Sequence, residues 1–140
     1  MNKCAFAVMA GLLAATAAAV TGTAHAAQWA KVGGASAGAG NVYYIDRASV
    51  IKKDKTRKVW SLHSFASAQN SPEGKPYRSV KALHLYSCED RTTILLSQVF
   101  YPEPMGKGEA LETYKYEKFT AEDIVPDSPY DNALAVVCKP

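Results

Sequence analysis

The sequence predicts an α+β domain, in which an antiparallel β-meander is followed by one C-terminal helix packed on a face of the sheet. Consecutive segments rich in aromatic and β-branched residues are joined by short connections, the pattern of an antiparallel meander. The last segment has helical spacing instead. Two cysteines, Cys88 at the end of a strand segment and Cys138 in the helical segment, are placed to join the two parts.

The N-terminus has the pattern of a secretory signal peptide. Lys3 supplies a positive charge, residues 5–20 are almost entirely small and apolar, and Ala24-His25-Ala26 predicts cleavage after Ala26. The apolar run is short and alanine-rich for a transmembrane anchor, which needs about 20 residues. Cys4 precedes the apolar run, which argues against a lipid anchor. We therefore predict a periplasmic or secreted protein with no membrane span or lipid anchor.

Cleavage leaves residues 27–140 as a single domain, which is long enough to bury its own core. The removed segment carries one lysine and no acidic residue, so the net charge falls from +3 to +2. That charge is too balanced to indicate a nucleic acid or an anionic membrane as partner. Cys88 and Cys138 remain, and an even count in an exported protein implies a disulfide. The alternatives are a metal pair, for which further ligands are lacking, and an intermolecular bridge.

The strand segments are separated by turn-forming and charged residues. Glycine-rich residues 33–40 predict a surface loop, because the segment after them has strand and not helix chemistry, unlike a phosphate-binding loop. Asp46 begins a turn and can accept hydrogen bonds from the amides ahead of it. The charged residues 52–58 indicate a solvated hairpin turn. We expect strands at residues 27–32, 42–45, 59–66, 77–88, 91–101 and 112–119.

The C-terminal segment predicts a short helix. Asp127 and Ser128 offer a cap, and Pro129 suits the first turn. Helical spacing over residues 130–138 then places three residues on one side, namely Leu134, Val137 and Cys138.

The strand pairing decides which residues share a face. A hairpin centred near residues 73–74 places His63 opposite His84, and the next hairpin places Leu95 opposite His84. The face with Cys88, which we expect the helix to cover, then carries Val59, His63, Phe65, Val80, Ala82, His84, Tyr86, Leu95 and Val99. The other face carries Trp60, Leu62, Leu83, Leu85, Ile94, Leu96 and Phe100. Because that second face is equally apolar, we expect a sheet-to-sheet homodimer or another partner there, unless the sheet curls and buries it.

No residue set in the sequence indicates catalysis or a cofactor. The serines lie outside recognisable nucleophile motifs, and the acidic residues fall at turns and strand ends. His63 and His84 are the best metal-ligand candidates, but a fixed third ligand is missing and zinc needs three or four. We therefore predict a protein that is not an enzyme and holds no metal or cofactor.

Aromatic and basic residues alternate in two segments, Tyr77 to Lys81 and residues 114–119. The pattern is typical either of a stacking, cationic surface for an anionic protein or glycan, or of the charges that protect edge strands from aggregation.

Three blocks, with the Val59-Trp60 pair between them, resemble the surface-adhesin protein E family. They are Val42-Tyr43-Tyr44-Ile45-Asp46 with Ser49-Val50, Tyr77-Arg78-Ser79-Val80 leading to Cys88, and Pro126-Asp127-Ser128 leading to Cys138. The blocks occur in the family's order and span nearly all of residues 27–140, which the resemblance makes one protein E-like domain.

The resemblance implies a sheet of about six strands, with the C-terminal helix tethered to its concave face by the Cys88–Cys138 disulfide. It also implies a dimeric adhesin that binds host matrix and serum proteins through the part matching residues 75–93, where Tyr77, Arg78 and Lys81 are the candidate contacts. The absence of a lipid-attachment cysteine departs from the family's lipoprotein. We therefore expect an exported binding module for a protein, or alternatively a soluble periplasmic accessory protein that binds a small ligand or an envelope component in the concavity.

Overall fold

The computed structural model describes residues 26–33 and 40–140. The predicted signal segment up to His25 and residues 34–39 of the glycine-rich loop lie outside the described residues. The described residues form one antiparallel sheet and one α-helix, with these bounds: β1 (Trp29–Lys31), β2 (Val42–Asp46), β3 (Ile51–Lys53), β4 (Thr56–Asn70), β5 (Pro76–Ser87), β6 (Thr92–Tyr101), β7 (Glu112–Lys115), β8 (Glu122–Asp123) and α1 (Pro129–Val137). The predicted α+β class, antiparallel sheet and single C-terminal helix are confirmed for these residues.

The sheet has eight strands, and the prediction of about six was too low. Six strands pair in the order β1-β2-β4-β5-β6-β7, while β3 pairs with β4 and β8 pairs with β6. Each of the two long strands β4 and β6 therefore pairs with two short strands along one of its edges. Strands as short as β3 and β8 carry too few residues to show an alternation in sequence.

The charged segment at residues 52–58 is more ordered than the predicted solvated turn. Lys53 pairs with Thr56, so only Asp54 and Lys55 form the turn between β3 and β4. Asp54 has a φ of 48°, a left-handed conformation that aspartate tolerates better than most residues. The basic side chains thus lie on two paired strands, where alternation fixes their direction.

The register of the central β4–β5 hairpin differs from the predicted one. Val59, and not His63, lies opposite His84. The pairing is irregular between Ser64 and Gln69, where five residue steps of β4 face two of β5. The predicted hairpin centre near residues 73–74 therefore holds only for the pairs next to the turn. The extra residues of β4 shift the register of all pairs farther from the turn.

The helix α1 covers one face of the sheet, which we call the helix face. Ser128 caps it by accepting a 3.2 Å hydrogen bond from the amide of Asp131, and Pro129 occupies the first turn, as predicted. The buried core joins the helix to three strands, β2, β4 and β5, and to the residues after β1 and β8. It consists of Val32, Tyr43, Ile45, Val59, Tyr86, Ile124, Ala133, Leu134 and Val137.

The predicted disulfide joins the residue after β5 to the residue after α1. Cys88 and Cys138 are bonded, with their Cα atoms 5.7 Å apart and a sequence separation of 50. A nine-residue helix is too short to be stable alone in water. The disulfide therefore holds α1 against the helix face at the end opposite its cap.

Candidate functional site

The face of the sheet opposite α1, which we call the open face, carries five half-buried apolar side chains. Trp60 pairs with Leu83, and Leu85 pairs with Ile94, so the four lie on neighbouring rows. Leu96 lines the same cavity as Leu85. All five were predicted for this face, and we call them the apolar patch.

Two other residues predicted for that face do not contribute to a surface there. Leu62 lies on the open face but has no exposed area. Phe100 lies opposite Val80, and therefore on the helix face. The cause is a bulge in β6: consecutive β5 residues pair with Leu95 and Ser97, which leaves Leu96 as an extra residue.

A one-residue bulge reverses the side of every residue beyond it. Val99, predicted for the helix face, therefore pairs with Lys81 on the open face, and Phe100 takes the opposite side. Before the bulge the predicted pairing of His84 with Leu95 is confirmed.

A turn after β6 closes one end of the open face. Met105 donates its amide to the Ser64 hydroxyl at 3.1 Å, and Gly106 donates its amide to the Ser79 hydroxyl at 2.8 Å. Gly106 has a φ of 68°, and a Cβ on it would lie 2.5 Å from Cε of Lys81. The left-handed φ favours glycine where this turn crosses the sheet, and the apolar patch is left at the other end.

Lysines surround the apolar patch. Lys58 lies opposite Leu85, and Lys115 lies opposite Ser97 in the row of Trp60 and Leu83. By the same pairing the open face also carries three further lysines, Lys31, Lys53 and Lys81.

A cavity of about 490 Å³ opens at this end of the sheet, and its lining combines Ile51, Leu85 and Leu96 with Lys53, Lys58, Asp54 and Thr56. Ile51 is 56% exposed, so the cavity has an uncovered apolar wall. The open face therefore combines apolar surface with a predominantly positive surround.

The structure does not bring the three predicted contact residues together. Tyr77 packs its ring against Phe100 on the helix face, with 4.8 Å between ring centroids. Lys81 lies on the open face, with its Nζ 4.8 Å from the ring centroid of Tyr101. Arg78 donates a 2.6 Å hydrogen bond to a backbone carbonyl of β4. Their role in binding stays a prediction, but a single flat partner cannot contact Tyr77 and Lys81 from one side.

A row of aromatic rings follows the helix face away from α1. His63 stacks on Phe65 at 4.1 Å, and each ring then contacts the next through Tyr77 to Phe100. Partial burial lowers the pKa of His63. His63 and His84 lie in different rows, and no cluster of three metal-ligating residues occurs within residues 26–33 and 40–140.

A second cavity, of about 470 Å³, lies between the helix face, the start of α1 and β8, and we call it the helix-face cavity. Its lining consists of His84, Thr93, Leu95, Glu122, Asp123, Ile124, Val125, Ser128, Pro129 and Tyr130. Most of the lining surface is apolar, although half of these residues are polar, and Glu122 and Asp123 are exposed.

Two buried residues in the lining of the helix-face cavity are polar, namely His84 and Thr93. Burial lowers the pKa of His84 to about 4, so its imidazole is neutral at pH 7. The Ser61 hydroxyl donates to the carbonyl of Ala82 at 3.2 Å, and its oxygen lies 3.3 Å from Nδ1 of His84. The hydroxyl oxygen of Thr93 is buried and has no hydrogen-bond partner, which is uncommon for a buried polar atom.

Sequence patterns did not predict the lining of this cavity. Strand β8 and Ile124 form one wall, and the chain there is a two-residue strand within a polar segment. The available signal was Ile124 itself, an apolar residue among acids that is buried in the structure.

Within the described residues, no helix has the length and apolar character needed to cross a membrane.

Comparison with known proteins identifies the fold and the family. Two solved structures of Haemophilus influenzae protein E, one of them crystal form II, are similar to this chain, with TM-scores of 0.56 and 0.55. Each is 24% identical and aligns with 69% of this chain, covering 79% of the form II chain and 76% of the other. A search of curated proteins found no match. The family model for surface-adhesin protein E matches residues 29–139, and the chain therefore belongs to the surface-adhesin protein E family.

Proposed function

We propose that this chain is an exported, non-enzymatic binding module that contacts a protein partner through the open face. The observation that carries the proposal is the apolar patch, which α1 leaves uncovered on the far side of the sheet. Contiguous exposed apolar surface with a polar surround is typical of interaction sites. Membership of a family of surface adhesins supports the same role.

The charge of the open face favours a partner other than a second copy. In a symmetric dimer built on this face, the five lysines of each protomer would face those of the other. Like charges across an interface oppose association, whereas a partner with acidic groups around an apolar centre would complement them. A homodimer through this face is therefore the less favourable arrangement.

The contacts of Ser61 and His84, a pair beside the helix-face cavity, support a non-enzymatic role. Ser61 is 2% exposed, and its hydroxyl proton is donated to the carbonyl of Ala82. A nucleophile has to reach its substrate and give its proton to a base. Ser61 does neither.

The test compares binding of the oxidised protein to immobilised matrix and serum proteins before and after the patch is made polar. A double variant, Leu85→Lys with Leu96→Lys, should weaken binding about tenfold or more, because it places charge in the centre of the contact. Phe119→Lys is the matched control, since Phe119 is 54% exposed and lies outside the patch. Equal binding by wild type and the double variant would exclude the open face.

Localisation is tested by fractionating cells that express the full chain with its own N-terminal segment. We propose export by that segment to the periplasm or medium. A protein found only in the periplasm would bind a partner of the envelope, whereas one at the cell surface or in the medium could bind host proteins.

A second candidate function is the binding of a small ligand in the helix-face cavity. Its volume of about 470 Å³ falls in the usual range for small-molecule sites, and its mainly apolar lining with a few polar groups is also typical of them.

A further inference from the structure

We propose that a third cavity, at the C-terminal end of α1, binds a phosphate monoester carried on a small apolar body. This cavity is separate from the open face and from the helix-face cavity, so the inference goes beyond the proposed function. It is carried by three unpaired basic side chains that converge on one apolar floor, with no acidic side chain in the described lining.

The site is a cavity of about 410 Å³, which we call the helix-end cavity. Three basic residues line it from separate parts of the chain: Arg47 directly follows β2, Lys52 lies in β3, and Lys139 follows α1. The strand register agrees with this placement, because Lys52 pairs with Arg57, which pairs with the core residue Tyr86 on the helix face. The three cations therefore meet on the face that α1 covers, at the C-terminal end of the helix.

These three cations have no counter-charge of their own. Among the residues that the structure describes, the side chains of Arg47, Lys52 and Lys139 form neither an ion pair nor a hydrogen bond. Lys55, by contrast, pairs with Glu89 at 2.5 Å. Like charges that are placed together repel one another, so the cluster opposes folding and is better explained by an anion that it binds.

The negative groups at the helix-end cavity compensate the cations only in part. Pro140 belongs to the lining, and a carboxylate that ends the chain there leaves three positive charges less one negative, an excess of two. The C-terminus of a helix is equivalent to about half a negative charge, and the last turn of α1 contains no basic residue. The remaining excess favours an anion with more than one negative charge.

A phosphate monoester matches the number and type of these cations. At neutral pH it carries about 1.5 to 2 negative charges and presents three acceptor oxygens. The guanidinium of Arg47 can donate to two of these oxygens side by side, and each lysine ammonium can bind an oxygen as a point charge. A carboxylate, with one charge and two oxygens, uses the three cations less fully.

The floor of the helix-end cavity is apolar. Val50 and Val136 line it, pack against the core and remain partly exposed, while Ile45 and Val137 in the same lining are buried. An apolar group attached to the phosphate removes water from this floor, which adds to the affinity. An organic phosphate ester should therefore bind more tightly than inorganic phosphate.

The experiment is an NMR titration of the oxidised protein with three probes: phenyl phosphate, inorganic phosphate and phenol. Phenyl phosphate should bind best and shift the signals of Val50, Val136 and Lys139, and phenol should bind most weakly because it lacks the charge. Added salt should weaken phenyl phosphate binding, since it screens exposed charges. The open-face signals of Trp60 and Leu85 should stay unchanged, which separates this site from the lysines of that face.

A charge-removing variant tests the contacts. Arg47→Gln with Lys52→Gln and Lys139→Gln should weaken phenyl phosphate binding about tenfold or more, because it removes three exposed charge contacts that are each worth up to about fivefold. The three side chains are exposed, so the variant should keep the wild-type fold. Lys118→Gln is the matched control and should change nothing, since Lys118 is an exposed lysine outside the lining.

A vesicle experiment identifies the source of the phosphate ester. Co-sedimentation with phosphatidylcholine vesicles that contain phosphatidate, but not with pure phosphatidylcholine, would assign a lipid headgroup if the triple variant lost it. Phenyl phosphate binding without such co-sedimentation would assign a soluble ester.

Three results would overturn the inference. If no probe shifts the signals of the helix-end cavity, it is not a ligand site. If phenol binds as tightly as phenyl phosphate, or the triple variant binds phenyl phosphate as the wild type does, the assignment to phosphate is wrong. If inorganic phosphate binds as tightly as phenyl phosphate, the apolar floor takes no part.

Discussion

His84 is a buried imidazole that the folded protein keeps neutral. It is 5% exposed, and burial lowers its pKa from 6.5 to about 4. The unfolded chain therefore binds a proton at His84 over a pH range in which the folded chain does not. Between pH 6.5 and pH 4, acidification therefore favours unfolding. The loss of stability through His84 is complete only below the pKa that His84 has in the folded protein.

Acidification from pH 7 to pH 4.5 should cost the wild-type protein about 2–3 kcal/mol through His84, at 1.36 kcal/mol per pKa unit. His84→Gln cannot titrate and should lose correspondingly less over the same interval. Urea unfolding at the two pH values measures the difference.

His63→Gln is the matched control for this experiment. Its pKa is also lowered by burial, but the ring is only half-buried, so removing it should change the pH dependence less. If the free energy of unfolding had the same pH dependence in the wild type and in His84→Gln, the pKa of His84 would not differ between the folded and unfolded states.

Single residues also mark where sequence patterns stop predicting the faces. Alternation placed Leu83, Leu85 and Ile94 correctly on the open face. It failed after Leu96, because the bulge there inserts one residue and nothing in the local sequence distinguishes a bulged leucine from a paired one. The bulge depends on how β5 and β6 pair, which is a tertiary property.

At the scale of elements, α1 depends on its two ends. Ser128 and Pro129 are local signals, and the cap, the first turn and the helix could all be predicted from sequence. Strands β3 and β8 could not, since two or three residues gain their stability from a long neighbour and not from their own composition. The wall that β8 gives the helix-face cavity was missed for the same reason.

Removing the disulfide with Cys88→Ser and Cys138→Ser should lower the free energy of unfolding by about 4 kcal/mol, the chain-entropy value for a loop of this length. The bond closes a loop of 50 residues that contains β6, β7, β8 and α1. The variant should also lose helical signal in far-UV circular dichroism before the sheet unfolds, because α1 is short.

Ser128→Ala is the reference variant for that measurement. It removes only the cap and should cost about 1 kcal/mol. If the double cysteine variant lost no more than Ser128→Ala, the disulfide would not be what holds α1 on the sheet.

At the scale of the whole molecule, attraction and repulsion compete on the open face. The apolar patch favours self-association, and the five lysines around it oppose it. The protein should therefore sediment as a monomer at low ionic strength, and its average mass should rise as salt screens the lysines. The double variant Leu85→Lys with Leu96→Lys should remain monomeric throughout. A stable wild-type dimer at low salt that the double variant abolishes would instead support a homodimer through this face.

The short outer strands have a consequence for how partners can bind this sheet. Within the described residues, the strands that border the sheet are β1, β3, β7 and β8, which contain three, three, four and two residues. Long unpaired edges act as templates for strand addition and for fibril growth. Each of these four strands offers only a few free main-chain groups for either process. We therefore expect partners that contact these four strands to recognise side chains and not to extend the sheet.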